Sequence, residues 1–163
     1  MSDFTLSLKS QMENSVDCLM GYSRIKSWVQ GFGGSVDYVD YVKGNGDLAV
    51  LVAFSHILFP RFIEVDDCIL WERVYEESNY AVWRQELSGD KRKIEATLNR
   101  LHIWGIVESE EVDEDRKAVD FIAECAAKAW RTALTTDFPD RPFDVQVVDS
   151  PDGPVVTFCS GKQ

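Results

Sequence analysis

The sequence predicts an α+β fold: a single domain over residues 1–163 in which an antiparallel sheet built from hairpins packs against several α-helices. Two observations lead to this prediction. Strand-like and helix-like segments come in blocks, without the strand–helix–strand alternation that is typical of parallel sheets. The chain has 163 residues, of which 45% are hydrophobic and 28% charged, and this is the size and composition of one folded domain.

The N-terminal part is predicted to be helical. Ser10 and Glu13 have the spacing of a capping box, which marks the start of a helix. Apolar residues then recur at helical spacing at Met12, Val16, Leu19, Met20, Ile25, Trp28 and Val29. The Gly-Phe-Gly-Gly segment at 31–34 should end this helix. Residues 36–42, rich in Val and Tyr, fit either a short strand or a helical turn.

The longest apolar stretch, residues 48–59, fits two structures. Its Val and Phe content suits a strand, but Asp47 can cap a helix and Pro60 would end one. We favour a buried helix over 47–58, although periodicity alone does not separate it from a buried strand. The stretch is well short of the roughly 20 apolar residues that span a bilayer, so no membrane crossing is predicted.

Two hairpins are predicted. Asp66 and Asp67 form a two-residue turn candidate between the β-prone segments 61–65 and 68–71. Near the C-terminus, strands at 143–148 and 155–158 flank the sequence Ser-Pro-Asp-Gly-Pro, which is rich in turn-forming residues. Together these hairpins supply the antiparallel sheet.

Three further helices are predicted. The first covers 79–87, and Asp90 caps the second, which should end near Gly105. The apolar face of the second comprises Ile94, Leu98, Leu101 and His102. The longest helix begins near Asp113, and its face comprises Val119, Ile122, Ala126, Ala129 and Ala133. So many alanines on one face indicate close packing against another element.

Charge and cysteine content narrow the function classes. The chain has 17 basic and 28 acidic residues, for a net charge of −11. Such a charge repels nucleic acid and anionic membranes. It would attract a basic protein, although acidity of this kind more often serves solubility alone. The four cysteines (Cys18, Cys68, Cys125 and Cys159) are widely spaced, and the N-terminus lacks secretory-signal features. We therefore expect a cytoplasmic protein with reduced thiols, no metal and no cofactor.

Four segments resemble a family of bacterial cytosolic proteins of unknown function. They are FPRFIEVDDCIL at 59–70, NYAVW at 79–83, NRLHI at 99–103 and FPDRPF at 138–143. The resemblance spans roughly positions 47 to 158, implies a helix over 47–58 and implies no activity. Family members often have His where this chain has Arg100 and Gly where it has Asp67.

Four polar residues are the candidates for chemistry. Glu64 and Asp66 lie two apart on a predicted strand, whereas Asn99 and His102 lie three apart on a predicted helix. If the helix covered that face of the sheet, the four side chains could bind a divalent metal or carry out acid–base catalysis. We favour the alternative, in which both carboxylates face solvent and His102 lies at the helix edge.

Clustered aromatic residues are the candidates for binding. Trp71, Tyr75, Tyr80 and Trp83 lie among charged residues, a composition typical of interface hot spots and also of a sheet covering. For Tyr75 and Tyr80 we favour the interface. The acidic residues Glu108, Glu110 and Glu111 would border it.

The favoured hypothesis is a non-catalytic module that caps a basic protein, as toxin-neutralising immunity proteins do. It depends on the acidity of the chain, its aromatic cluster and the lack of any recognised catalytic motif. The alternatives are a small enzyme or metal-dependent domain, and a small-ligand domain with a cavity beside Trp71 and Trp83.

Overall fold

The structure, a computed structural model, describes residues 21–32, 36–107 and 113–161. In these residues six α-helices and two antiparallel sheets follow one another in blocks, so the α+β prediction is confirmed. The helices are α1 (Ser23–Gly31), α2 (Tyr38–Asn45), α3 (Leu48–Leu58), α4 (Glu77–Glu86), α5 (Lys91–Leu98) and α6 (Asp113–Asp137). The strands are β1 (Phe62–Val65), β2 (Cys68–Trp71), β3 (Arg100–His102), β4 (Phe143–Ser150) and β5 (Gly153–Ser160). Single turns of 3₁₀ helix cover Glu72–Val74 and Ile103–Gly105.

The first two helices follow local signals. The start of the predicted first helix, up to residue 20, lies outside the described residues, and α1 ends at Gly31 as expected. Residues 38–45 form a helix and not a strand because a capping box begins it. The Asp37 carboxylate accepts from the Val39 N–H at 2.8 Å, and the Asp40 carboxylate accepts from the Asp37 N–H at 3.2 Å.

Helix α3 has the predicted bounds but not the predicted burial. The Asp47 carboxylate caps it by accepting from the Val50 N–H at 3.0 Å, and it ends two residues before Pro60. None of its residues is buried, and Leu48 is 77% exposed. The prediction of a buried helix is therefore wrong. Only the last turn, at Ile57 and Leu58, packs against the core, because α6 reaches α3 there.

Both predicted hairpins are confirmed. Val65 pairs with Cys68, which leaves Asp66 and Asp67 as a two-residue turn. Their φ angles are 49° and 66°, as a type I′ turn requires, and Asp67 thus occupies a conformation that glycine adopts most readily. Strands β4 and β5 form the second hairpin, and β3 pairs with the other edge of β5.

The second hairpin has a glycine that cannot be replaced without rearrangement. Gly153 has a φ of 98°, and a Cβ atom added there would lie 1.5 Å from Nε1 of Trp104. The Trp104 indole therefore packs directly on the backbone at the start of β5.

Helix α5 is shorter than predicted. It ends at Leu98, and Leu101 and His102 belong to β3, opposite Val156 and Val155. The expectation that Asn99 and His102 share a helix face is therefore wrong. Asn99 is the C-cap, and hydrogen bonds to β2 hold its side chain where the chain leaves the helix.

Helix α6 is the longest described helix, with 25 residues, and it covers the core. Its buried residues are Val119, Ala123, Ala126, Ala127, Trp130 and Leu134. The predicted residues Ile122, Ala129 and Ala133 flank this face and are partly buried. The Trp130 ring is at the centre, with centroid distances of 5.9 Å to Phe62, 5.3 Å to Trp71 and 6.0 Å to Phe158.

We expect Ala126→Leu to lower the free energy of unfolding by about 1–3 kcal/mol, because Ala126 is 1% exposed and leaves no room for a larger side chain. Ala129→Leu should cost less, since Ala129 lies at the edge of the buried face. Urea denaturation of both variants checks the orientation of α6. Equal costs, or a larger cost at Ala129, would show that the buried face is different.

Candidate functional site

The four candidate catalytic residues are not brought together. Glu64 forms an ion pair with Arg141, and Asp66 forms one with Arg84. Asn99 is fully buried, whereas His102 is exposed on β3. In the described part of the chain, no three His, Cys, Asp or Glu side chains are grouped so that they could hold a metal ion.

Asn99 instead binds the outer edge of β2. Its Oδ1 accepts from the Trp71 N–H at 2.8 Å, and its Nδ2 donates to the Ile69 carbonyl at 2.9 Å. One turn earlier in the chain, Oε1 of Glu95 accepts from the Ile69 N–H at 2.8 Å. The two side chains therefore take the place of a neighbouring strand and satisfy backbone groups that would otherwise be buried without partners.

Glu95 also reaches the second sheet. Its Oε2 accepts from the Ser160 N–H at 2.6 Å, and its Oε1 accepts from the Ser160 hydroxyl at 2.9 Å. Glu95 is fully buried, and these bonds join β2 to β5. Sequence reasoning missed Glu95, although a carboxylate between Ile94 and Leu98 on an apolar helix face is a signal of a buried polar contact.

We call Glu95 and Asn99 the polar clamp. Both side chains are fully buried and bonded to backbone or hydroxyl partners, so neither is exposed to a ligand. The clamp is therefore a structural element of the fold.

Charged side chains surround the β1–β2 turn. Asp67 pairs with Lys91 at 2.6 Å, and this contact lowers the pKa of the carboxyl and raises the pKa of the amine. Nη1 of Arg141 approaches the Asp67 carbonyl at 3.4 Å. The charged groups are exposed, so each ion pair adds little to stability. Both carboxylates of the turn, Asp66 and Asp67, are nevertheless paired with a cation.

The predicted partner-binding residues divide into two groups. Trp71 and Tyr80 are 5% and 6% exposed and belong to the core, so their rings are not available to a partner in this conformation. Tyr75 and Trp83 are partly exposed. The residues Glu108, Glu110 and Glu111 lie outside the described residues.

Tyr80 is held by its hydroxyl as well as by its ring. The hydroxyl donates to the Val65 carbonyl at 3.4 Å and to Sγ of Cys68 at 3.7 Å. Burial raises the pKa of Tyr80 well above its usual range, and the hydrogen bond to Cys68 makes a smaller contribution in the same direction. Tyr80 therefore stays protonated and ties α4 to the first hairpin.

Two of the thiols are poorly suited to nucleophilic chemistry. Cys68 is buried, Cys159 is half-buried, and both are free. Burial raises the pKa of each thiol, which lowers the thiolate fraction at neutral pH. Cys18 lies outside the described residues.

A groove of about 540 Å³ lies between the β1–β2 turn and α4. It is lined by Val65, Asp66, Tyr75, Glu77, Tyr80, Ala81, Arg84, Gln85 and Gly89. The small-ligand hypothesis expected a cavity beside Trp71 and Trp83, but neither residue lines this groove. The groove does contain an aromatic wall together with acidic and basic side chains.

Exposed apolar side chains are concentrated on α2, α3 and the residues beside them. Of the twelve large apolar side chains that are exposed in the described residues, nine lie between positions 32 and 59. These nine, which we call the apolar helical surface, are Phe32, Tyr38, Val39, Val42, Leu48, Val50, Leu51, Val52 and Phe59. Isolated exposed apolar residues are common in proteins, but their concentration in this one segment makes it the candidate interaction surface.

No helix in the described part of the chain combines the length and hydrophobicity needed to span a bilayer. Helix α3, the most apolar, has only 11 residues.

No family model, curated protein or solved structure matches the chain. The family likeness of the four sequence motifs therefore stays an expectation.

Proposed function

We propose that this protein is a non-catalytic binding module that caps a basic protein partner, and that the apolar helical surface is its contact face. One observation carries the proposal: nine of twelve exposed large apolar side chains lie between positions 32 and 59. The family likeness suggests that this binding takes place in a bacterial cytoplasm.

The hydrophobic effect supplies the driving force. Leu48, Leu51 and Val52, which share one face of α3, are 77%, 44% and 51% exposed, so much of their area is in water in the free protein. Removing apolar area from water is worth roughly 25 cal/mol per Å². A partner that covers these side chains gains this free energy, and the anchored last turn of α3 holds them in place for it.

The charge of this region supports a basic partner. Asp37, Asp40 and Asp47 lie beside the apolar residues of α2 and α3, against one cation, Lys43. The whole chain carries −11. A partner with cationic groups around an apolar patch would be attracted at long range and would associate faster at low salt. The same charge disfavours nucleic acid and anionic membranes.

The apolar helical surface can be tested with a defined probe: a synthetic amphipathic helical peptide with Leu on one face and Lys on the other. We expect Leu48→Ser/Val52→Ser to weaken its binding about tenfold or more, because both side chains lie on one face of α3 and lose buried area. Isothermal titration calorimetry measures the dissociation constants, and circular dichroism verifies that the variant is folded.

Val82 provides the matched control, because it is a valine on a helix with 55% exposure against 51% for Val52. Val82→Ser should leave the dissociation constant unchanged, whereas Val52→Ser alone should raise it about three- to fivefold. Equal effects of the two substitutions would contradict the proposed surface. Equally tight binding of a Leu/Glu peptide would contradict the proposed basic partner.

A further inference from the structure

We propose that the groove between the β1–β2 turn and α4 binds a cationic side chain, arginine or lysine, of the basic partner. This inference rests on the proposed function, which it extends with a second contact point. The groove has a volume of about 540 Å³, within the range of sites that accept a side chain or a small ligand.

The partly exposed ring of Tyr75, backed by the buried ring of Tyr80, provides the first element of recognition. The rings of Tyr75 and Tyr80 lie 6.0 Å apart between centroids and are inclined at 60°. Tyr80 is buried and fixed by its hydroxyl, and Tyr75 packs against it while remaining partly exposed. The position of Tyr75 is therefore set before a ligand arrives. A guanidinium or ammonium group near such a ring is attracted by the negative face of the π system.

Carboxylates provide the second element. Asp66 and Glu77 line the groove together with one cation, Arg84. Arg84 is already paired with Asp66. The side chain of Glu77, in the first turn of α4, forms no hydrogen bond or ion pair with another element among the described residues. The groove therefore has a formal charge of −1 and an available carboxylate beside an aromatic ring. An anionic ligand would meet this net negative charge and would have to displace Asp66 from Arg84.

The test uses a peptide that presents one arginine, acetyl-Gly-Arg-Gly-amide, in an NMR titration at constant ionic strength. We expect the largest shifts at the amides of Asp66, Glu77, Ala81 and Gly89. Tyr75→Leu and Glu77→Gln should each raise the dissociation constant about two- to fivefold, since each removes one attraction at a partly solvated site. The same peptide with Glu in place of Arg should not bind.

Glu86 gives the matched control, because it is an exposed glutamate of the same helix that does not line the groove. If Glu86→Gln weakens binding as much as Glu77→Gln, the attraction is nonspecific and the inference is wrong. Shifts spread over distant acidic residues would also overturn it.

Different experimental results would contradict the groove inference and the proposed contact face. Leu48→Ser/Val52→Ser should leave the Arg peptide unaffected, because neither residue lines the groove. If the Arg peptide does not bind while the Leu/Lys peptide still depends on the apolar helical surface, only the groove inference falls. If the Arg peptide binds as described while the apolar variants have no effect on the Leu/Lys peptide, only the proposed contact face falls.

Discussion

Replacing Trp130 with alanine is expected to lower the free energy of unfolding by about 3–5 kcal/mol. Trp130 is fully buried, and its ring contacts those of Phe62, Trp71 and Phe158. Its Nε1 also donates to the Ile57 carbonyl at 2.8 Å, which fixes the last turn of α3 against α6. The substitution leaves a cavity at the centre of the core and an unsatisfied carbonyl at its edge.

Urea denaturation followed by far-ultraviolet circular dichroism measures this loss without depending on tryptophan fluorescence. Trp83→Ala is the control, because Trp83 is partly exposed and packs at the edge of the smaller cluster around Leu70. Its cost should be clearly smaller. Similar costs for the two variants would show that Trp130 is not the centre of the core.

Asn99→Ala is expected to cost about 2–5 kcal/mol. The side chain serves two buried backbone groups, the Trp71 N–H and the Ile69 carbonyl, and alanine leaves both without a partner. Each such loss costs roughly 1–3 kcal/mol because the group was desolvated on folding. The same denaturation experiment measures the effect.

The control is Asn79→Ala, which changes an exposed asparagine on α4 in the same chemical way. It should alter the free energy of unfolding by no more than about 0.5 kcal/mol. A cost at Asn99 as small as that at Asn79 would mean that water replaces the lost side chain, and that the clamp is not needed to hold β2.

The features that could be predicted from the sequence are those with local causes. Asp47 and Asp90 cap helices through hydrogen bonds that span three residues. The turn at Asp66 and Asp67 likewise follows from two adjacent residues that tolerate positive φ between β-prone segments. Signals of this kind are fully contained in a short window of sequence.

The features that were missed have distant causes. Asn99 ends α5 because its side chain forms hydrogen bonds with Trp71 and Ile69, which precede it by 28 and 30 positions. The sequence around Asn99 does not indicate these partners. Without this information, helical spacing from Ile94 to His102 predicted a longer helix, which placed His102 wrongly. The convergence of Asn99 and His102 with Glu64 and Asp66 depended on that helix.

Burial of apolar and aromatic residues was equally hard to assign. Helix α3 has the composition of a buried helix, but burial requires other elements packed on its faces. Among the described helices α3 contacts chiefly α6, so none of its residues is buried. Tyr75 and Tyr80 lie five positions apart and both contact the cluster around Cys68 and Leu70, yet only Tyr80 is buried in it. Composition identifies residues that can be buried, and tertiary contacts decide which of them are.

The polar clamp also determines how the protein fluctuates. Because Glu95 bonds to Ile69 in one sheet and to Ser160 in the other, local opening of either sheet leaves the buried carboxylate with fewer donors. That penalty couples the two openings, so the cost of exposing one strand includes part of the cost of exposing the other. In hydrogen-exchange terms we therefore expect the two sheets to behave as one cooperative unit, with the amides of β2 and β5 exchanging through a shared opening.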